Sequence, residues 1–220
     1  PKGVMAANDK PNNMDRTYPM SREEAMEVIL NNMPGDTIYS ATTGRATREL
    51  FFLREKRSET KAHDFLNVGS MGHASSVALG IALEKPERKV VALDGDSACM
   101  MHMGAMTMVS KLDVPNFMHV VLNNGSHESV GGQPSAGHKV DFTKIAEACD
   151  YATVGHPVTT EVELMEALEV LRNCGKASFI DCRIHKGLSR KLPPVIFDHR
   201  EVIDALIDNL NESRITMDKK

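Results

Sequence analysis

Short apolar runs alternate with helix-patterned stretches along this chain, and that alternation restricts it to few folds. The apolar runs lie at 36–40, 65–68, 89–93, 117–122 and 178–183. Between them, 46–56, 73–83, 98–112, 142–149 and 160–173 read as helices, with a last helix at 201–210 and a short extra strand at 152–154. At the front, Ser21-Arg22-Glu23-Glu24 forms a capping box. Ala25, Val28, Ile29 and Met33 follow it at helical spacing, and Pro34-Gly35 ends that helix. Strands that are apolar on both sides and alternate with helices build a parallel sheet covered on both faces. The expected fold is α/β, doubly wound, with a mostly parallel sheet. Such sheets take ligands beyond the carboxyl ends of their strands. Thr42-Thr43-Gly44, the turn from Gly69 to Gly72, Gly95 to Ser97 and Asn123 to Ser126 each follow a strand, so all four share that rim. The stretch 123–140 is a glycine-rich loop with no apolar period, and loops this long in compact domains are commonly functional.

A chain of 220 residues suits one large domain or a domain with an extension. Residues 1–20 are polar and lack a regular apolar period, so they read as a linker or arm ahead of a domain at 21–220. The first residue is Pro, which suits the trailing part of a longer polypeptide. A net charge of −4 with no basic stripe argues against nonspecific nucleic-acid binding. No apolar run reaches membrane-spanning length. Cys99, Cys149, Cys174 and Cys182 form no C-x-x-C pair and read as buried free thiols of a reducing compartment, which makes a cytoplasmic location the expectation. Trp is absent and Met is abundant, so the run Met100, Met101, Met103, Met106 and Met108 is expected to pack a helix against the sheet.

The chemistry concentrates in two turns. Asp94-Gly95-Asp96-Ser97 follows one strand, and Asn123-Asn124-Gly125-Ser126 follows the next about 25 residues on. A carboxylate at Asp96 can hold Mg²⁺, a hard cation that prefers oxygen ligands in octahedral geometry. The amide oxygen of Asn124 and a backbone carbonyl near Ser126 would add two ligands. Two phosphate oxygens and a water would complete six. The helix expected from Ala98 aims its free N–H groups at the same place. Gly95 and Gly125 let backbone approach closely. The simpler reading of Asp96 is an N-cap in a common turn dipeptide.

Gly95-Asp96-Ser97 followed by Asn123-Asn124 resembles the thiamine-diphosphate motif, usually Gly-Asp-Gly then Asn-Asn. The stretches Thr42 to Leu50, Asp64 to Ala74, Met101 to Ala105 and Asn123 to Pro134 are similar to the phosphonopyruvate decarboxylases, with the sulfopyruvate decarboxylases as near relatives. The resemblance covers roughly 21–183. It implies a thiamine-diphosphate-binding fold and decarboxylation of a 2-oxoacid with thiamine diphosphate and Mg²⁺. It also implies roles: Asp96, Asn124 and the Ser126 carbonyl on the metal; Thr43, Gly95, Ser97 and Ala98 near the diphosphate. The turn Gly69-Ser70-Met71 would meet the rest of the cofactor. There the Gly69 carbonyl would accept from the cofactor's amine, and Met71 would fill its bend.

One position departs from the pattern. Ser97 stands where the family usually has Gly, so either the turn is strained there or the hydroxyl adds a phosphate contact. The family's catalytic glutamate comes from a second, pyrimidine-binding domain, for which 1–20 leaves no room. A partner domain or subunit is therefore expected, in a homo- or hetero-oligomer. For catalysis within this chain, His127 and Glu128 just after the metal turn are the candidates, as proton shuttles or substrate-orienting groups; both equally suit a solvated loop. Arg45 and Arg48 are candidates for the substrate's anion, or are solvated helix residues. His73 suits either the site or a helix start, and His102 reads as a satisfied core histidine. Three functions stay open: phosphonopyruvate decarboxylation, the β-subunit role in sulfopyruvate decarboxylation, and a non-catalytic cofactor-binding or assembly subunit. A nicotinamide dehydrogenase is disfavoured, since no Gly-x-Gly-x-x-Gly follows a strand.

Overall fold

The computed structural model describes residues 17–187 and 197–217. The arm expected over 1–20 lies outside the described residues as far as residue 16. The strands are β1 (Ile38–Ala41), β2 (Asp64–Leu66), β3 (Val90–Gly95), β4 (Phe117–Asn123), β5 (Ser126–His127), β6 (Gln133–Pro134) and β7 (Ser178–Arg183). The α-helices are α1 (Arg22–Asn32), α2 (Arg45–Lys56), α3 (Ala74–Glu84), α4 (Asp96–Met101), α5 (Phe142–Ala148), α6 (Glu161–Leu171) and α7 (His199–Met217). Five strands form one sheet in the order β2-β1-β3-β4-β7, parallel at every pairing. β5 and β6 make a separate antiparallel hairpin.

The two-residue period of a strand sends alternate side chains to opposite faces. Tyr39, Ala41, Val91, Leu93, Met118, Val120, Leu122, Ile180 and Cys182 pack on one face with residues of α1, α2 and α6. Ile38, Val90, Ala92, Phe117, Val121 and Phe179 pack on the other with α3, α5 and Leu206 of α7. Helices on both faces make the sheet doubly wound, as expected. Of the helices on the first face, α1 and α6 begin in full capping boxes. In α1, Ser21 Oγ accepts from the Glu24 N–H at 3.2 Å while Glu24 accepts from the Ser21 N–H at 2.7 Å. Thr160 and Glu163 repeat the arrangement in α6. Each cap is worth about 1 kcal/mol.

Four local expectations change. The single helix expected over 98–112 is short α4 followed by a 3₁₀ helix, Met103–Lys111. In a 3₁₀ helix residues three apart eclipse, so Met103, Met106 and Val109 share the inward side. Met106 and Val109 are buried there, whereas Met101 and Met108 are exposed. The methionine run therefore packs the sheet only in part. The strand expected at 152–154 reduces to one bridge, Ala152 to Ser178. The loop 123–140 contains the β5–β6 hairpin. Only Cys99 and Cys182 are buried; Cys149 is half-buried at the end of α5, and Cys174 is exposed in the turn after α6. No described helix is long and apolar enough to cross a membrane.

The sheet order places the site. From β1 the chain crosses to β2 on one side, and β3 then returns to β1's other side. The turns after β1 and β3 diverge at such a switch point and leave a crevice.

Candidate active site

A pocket opens at that crevice, bounded by the ends of β1, β3 and β4. Thr42 and Thr43 follow β1. Gly95 ends β3, Asp96, Ser97 and Ala98 open α4, and Asn124 and Ser126 follow β4. Met71, His127 and Glu128 also line the wall. One concavity thus gathers ten of the twelve residues expected to hold the cofactor or metal or to handle protons, and Arg45 with them. Gly69 and Ser70 stand at the rim instead: the Gly69 N–H donates to Thr43 Oγ1 at 2.9 Å, which ties the turn after β2 to the turn after β1.

Asp96 is buried in the first turn of α4 and makes no side-chain cap. Burial pushes its pKa above the ordinary carboxylate value, opposed by a hydrogen bond from Ser135 and by backbone N–H groups. Such a carboxylate is costly without a cation. The two asparagines divide their work. Asn123 donates to the Gly137 carbonyl and to Asp181 Oδ1, both at 3.0 Å, so it is scaffold. The Asn124 amide oxygen accepts from the Ser126 N–H at 3.0 Å and borders the pocket.

Thr42 Oγ1, Ser97 Oγ, Ser126 Oγ and Arg45 Nε are buried without a hydrogen-bond partner, and all four residues line this pocket. Each such group costs about 1–3 kcal/mol if left unsatisfied. Their convergence fits a ligand rich in anionic oxygens. Among the described residues no group of three His, Cys, Asp or Glu could hold a metal ion. One carboxylate, one amide oxygen and a backbone carbonyl suit Mg²⁺ that takes its other oxygens from phosphate and water. The residues present therefore fit both a diphosphate and its metal.

The departure at Ser97 is not strained. Among the described non-glycine residues only Ser58, Ser70 and Asp150 have positive φ. Ser97 lies within α4, and its hydroxyl is one of the four unsatisfied groups. The strain sits at Ser70, with φ of 44° between Gly69 and Gly72. Gly72 is required for close approach: a Cβ there would lie 3.0 Å from the Ala98 carbonyl and 3.2 Å from Met101 Cβ.

Glu128 is heavily engaged. Its carboxylate pairs with Arg22 Nη2 at 2.5 Å and accepts from the Gly187 N–H, while its carbonyl accepts from Arg45 Nη2 at 3.1 Å. Arg22 also grips both oxygens of Glu49, at 3.2 and 3.3 Å. Glu128 thus anchors the loop. His73 Nδ1 lies 3.2 Å from the Ser70 carbonyl, and its ring meets His102 edge-on at 4.1 Å. His102 is half-buried beside the rim, not a core residue. Sequence reasoning missed Arg22, Asp94 and Val130 in the pocket wall. Asp94 was visible in the motif; Arg22 sits in a capping box over a hundred positions from its partner Glu128 and gave no signal.

A parallel α/β domain with a carboxylate-and-hydroxyl pocket at its switch point belongs to the class of proteins that bind a ligand beyond the carboxyl ends of their strands. More narrowly, the chain belongs to the thiamine pyrophosphate enzyme family, matching its C-terminal TPP binding domain over residues 42–182. It is 38% identical to phosphonopyruvate decarboxylase of Streptomyces viridochromogenes over 148 residues, 67% of this chain and 36% of that one. It is 27% identical to sulfopyruvate decarboxylase subunit beta of Methanocaldococcus jannaschii, covering 83% of this chain and 95% of that subunit. The fold is similar to Rhodococcus jostii thiamine diphosphate-dependent 4-hydroxybenzoylformate decarboxylase, with a TM-score of 0.58 and 19% identity over 74% of this chain and 32% of that one. The chain spans 36% and 32% of the length of the phosphonopyruvate decarboxylases it matches.

Proposed function

We propose that this chain is the diphosphate-binding half of a thiamine-diphosphate- and Mg²⁺-dependent 2-oxoacid decarboxylase acting on phosphonopyruvate, to give phosphonoacetaldehyde and CO₂. The observation that carries the proposal is the set of four unsatisfied buried donors around one pocket beside Asp96. Thiamine diphosphate, when bound, supplies the electron sink that decarboxylation of a 2-oxoacid requires. Asp96, the Asn124 amide and the Ser126 carbonyl would hold the metal. Thr43, Ser97 and Ala98 would hold the diphosphate, with the Thr42 and Ser126 hydroxyls beside them. Met71 would support the cofactor's bend and the Gly69 carbonyl its amine. His127 borders the pocket without the ion pair that occupies Glu128, so it is the better candidate in this chain for holding or moving a proton.

The catalytic glutamate would come from a pyrimidine-binding domain, in this polypeptide or in a partner, within a cytoplasmic oligomer. The near-complete coverage of a sulfopyruvate decarboxylase β subunit favours a second reading, in which this chain pairs with a separate subunit and takes the sulfonate substrate. Ser97 lies in α4 without positive φ, so no distortion of that turn supports the reading as a non-catalytic subunit.

The test is decarboxylation of phosphonopyruvate and sulfopyruvate with thiamine diphosphate and Mg²⁺, by this chain alone and with a pyrimidine-binding domain supplied. Activity only in the supplemented mixture is expected, and the preferred substrate separates the two readings. No activity on either substrate, with the two domains shown to associate, would refute both.

A further inference from the structure

The segment after β6 folds back over the metal turn, and nothing in the roles assigned above accounts for it. The Ser135 N–H donates to the Gly125 carbonyl at 2.9 Å, which stitches the segment to the turn after β4. The Ser135 hydroxyl donates to Asp96 Oδ2. The Gly137 N–H in turn donates to Ser135 Oγ at 3.0 Å, so the serine oxygen's acceptor side is used and its proton is directed at the carboxylate. The Gly137 carbonyl accepts from Asn123 Nδ2 at 3.0 Å. Gly137 is buried, and a Cβ there would fall 2.5 Å from Asn123 Oδ1 and 2.8 Å from Asp96 Cβ. One residue on, the His138 ring covers Gly125, where an added Cβ would meet Cε1 and Nδ1 at 2.8 Å.

We infer that Ser135 is a positioning residue for Asp96: the Ser135–Gly137 segment clasps the carboxylate from outside the pocket and presents it to a divalent cation in one orientation. This rests on the metal reading of Asp96. Ser135 does not line the pocket, so it acts on the carboxylate and not on the ligand directly. A carboxylate with one oxygen committed to a hydroxyl has the other left for the metal, and its rotation is stopped. Partners that orient a metal-ligating group in this way typically carry 10–100-fold in metal affinity. Gly137 is the seat of the clasp, because any side chain there would drive the segment off both Asp96 and Asn123.

The test is Mn²⁺ binding followed by electron paramagnetic resonance, with thiamine diphosphate present, on the full chain together with the domain or subunit it assembles with. Ser135→Ala is expected to raise the Mn²⁺ Kd about tenfold or more, while Ser135→Thr, which keeps the hydroxyl, stays within about threefold of wild type. The melting temperature of the metal-free protein is expected to be unchanged in both, since Ser135 is only half-buried. Asp96→Asn serves as reference and is expected to lose Mn²⁺ binding. An unchanged Kd in Ser135→Ala beside a lost one in Asp96→Asn overturns the clasp alone. So does a Ser135→Ala variant that melts well below wild type without metal, or one that Thr does not rescue. If Asp96→Asn binds Mn²⁺ like wild type, or wild type binds none, the metal reading falls and the clasp with it.

Discussion

Replacing Arg22 by Ala should be among the most damaging single changes in the described chain. The Arg22, Glu49 and Glu128 side chains are all at least nine-tenths buried, and one guanidinium serves both carboxylates through three contacts between 2.5 and 3.3 Å. Removing the cation leaves two buried carboxylates without their charge partner, and breaking a buried pair in this way costs about 3–5 kcal/mol. For a domain of this size that corresponds to a fall in melting temperature of roughly 6–20 °C.

The deficit should depend on pH. Burial holds the Glu49 pKa above its ordinary value, with Arg22 opposing; deleting Arg22 removes the opposition and raises it further. A carboxyl whose folded pKa exceeds its unfolded one binds its proton more tightly when folded. Its destabilising effect is therefore absent below the unfolded pKa and sets in as pH rises through the folded one. The variant's deficit should accordingly be largest at neutral pH and shrink on acidification towards the ordinary glutamate range. Thermal and urea denaturation of wild type and variant at about pH 7.5 and about pH 5.5 would measure this. A melting temperature within about 2 °C of wild type at the higher pH, or a deficit equal at both, would refute the reasoning.

Other substitutions separate binding from folding. Ser97→Ala should weaken thiamine diphosphate binding about tenfold in calorimetric titration, the worth of one hydrogen bond to a charged group, with the melting temperature unchanged. Gly72→Ala should lower cofactor affinity, because a φ of 87° and the contact with Ala98 force the Met71 turn outward; unaltered affinity would show that the turn does not touch the cofactor. Phe117→Ala, at a fully buried side chain, should cost about 3–5 kcal/mol in urea denaturation and spare the site's geometry.

The alternation of apolar strands and helices, the capping box at Ser21 and the turns after β1, β3 and β4 were legible because each is a local signal. Hydrophobic period, cap chemistry and turn residues act within a few positions, and the parallel rule then places every strand-end turn on one rim. The methionine stretch was misread as one α-helix because Met, Ala and Val suit α and 3₁₀ geometry alike, and only packing against the sheet chose the three-residue period. His102 was placed in the core for the same cause: periodicity reports that a side is apolar, not how deep the sheet lies beneath it.

By itself the sequence determined the layered α/β fold, the rim that carries the chemistry, and the Asp96 and Asn124 turns, since these follow from short-range pattern and a topological rule. The tertiary structure alone decided that Ser97 is unstrained. It also decided that Glu128 is held by Arg22 and that Ser135 reaches Asp96 across 39 positions. Those contacts join residues far apart in the chain. Their energies come from desolvation and from atoms brought within hydrogen-bonding distance, which local pattern does not encode.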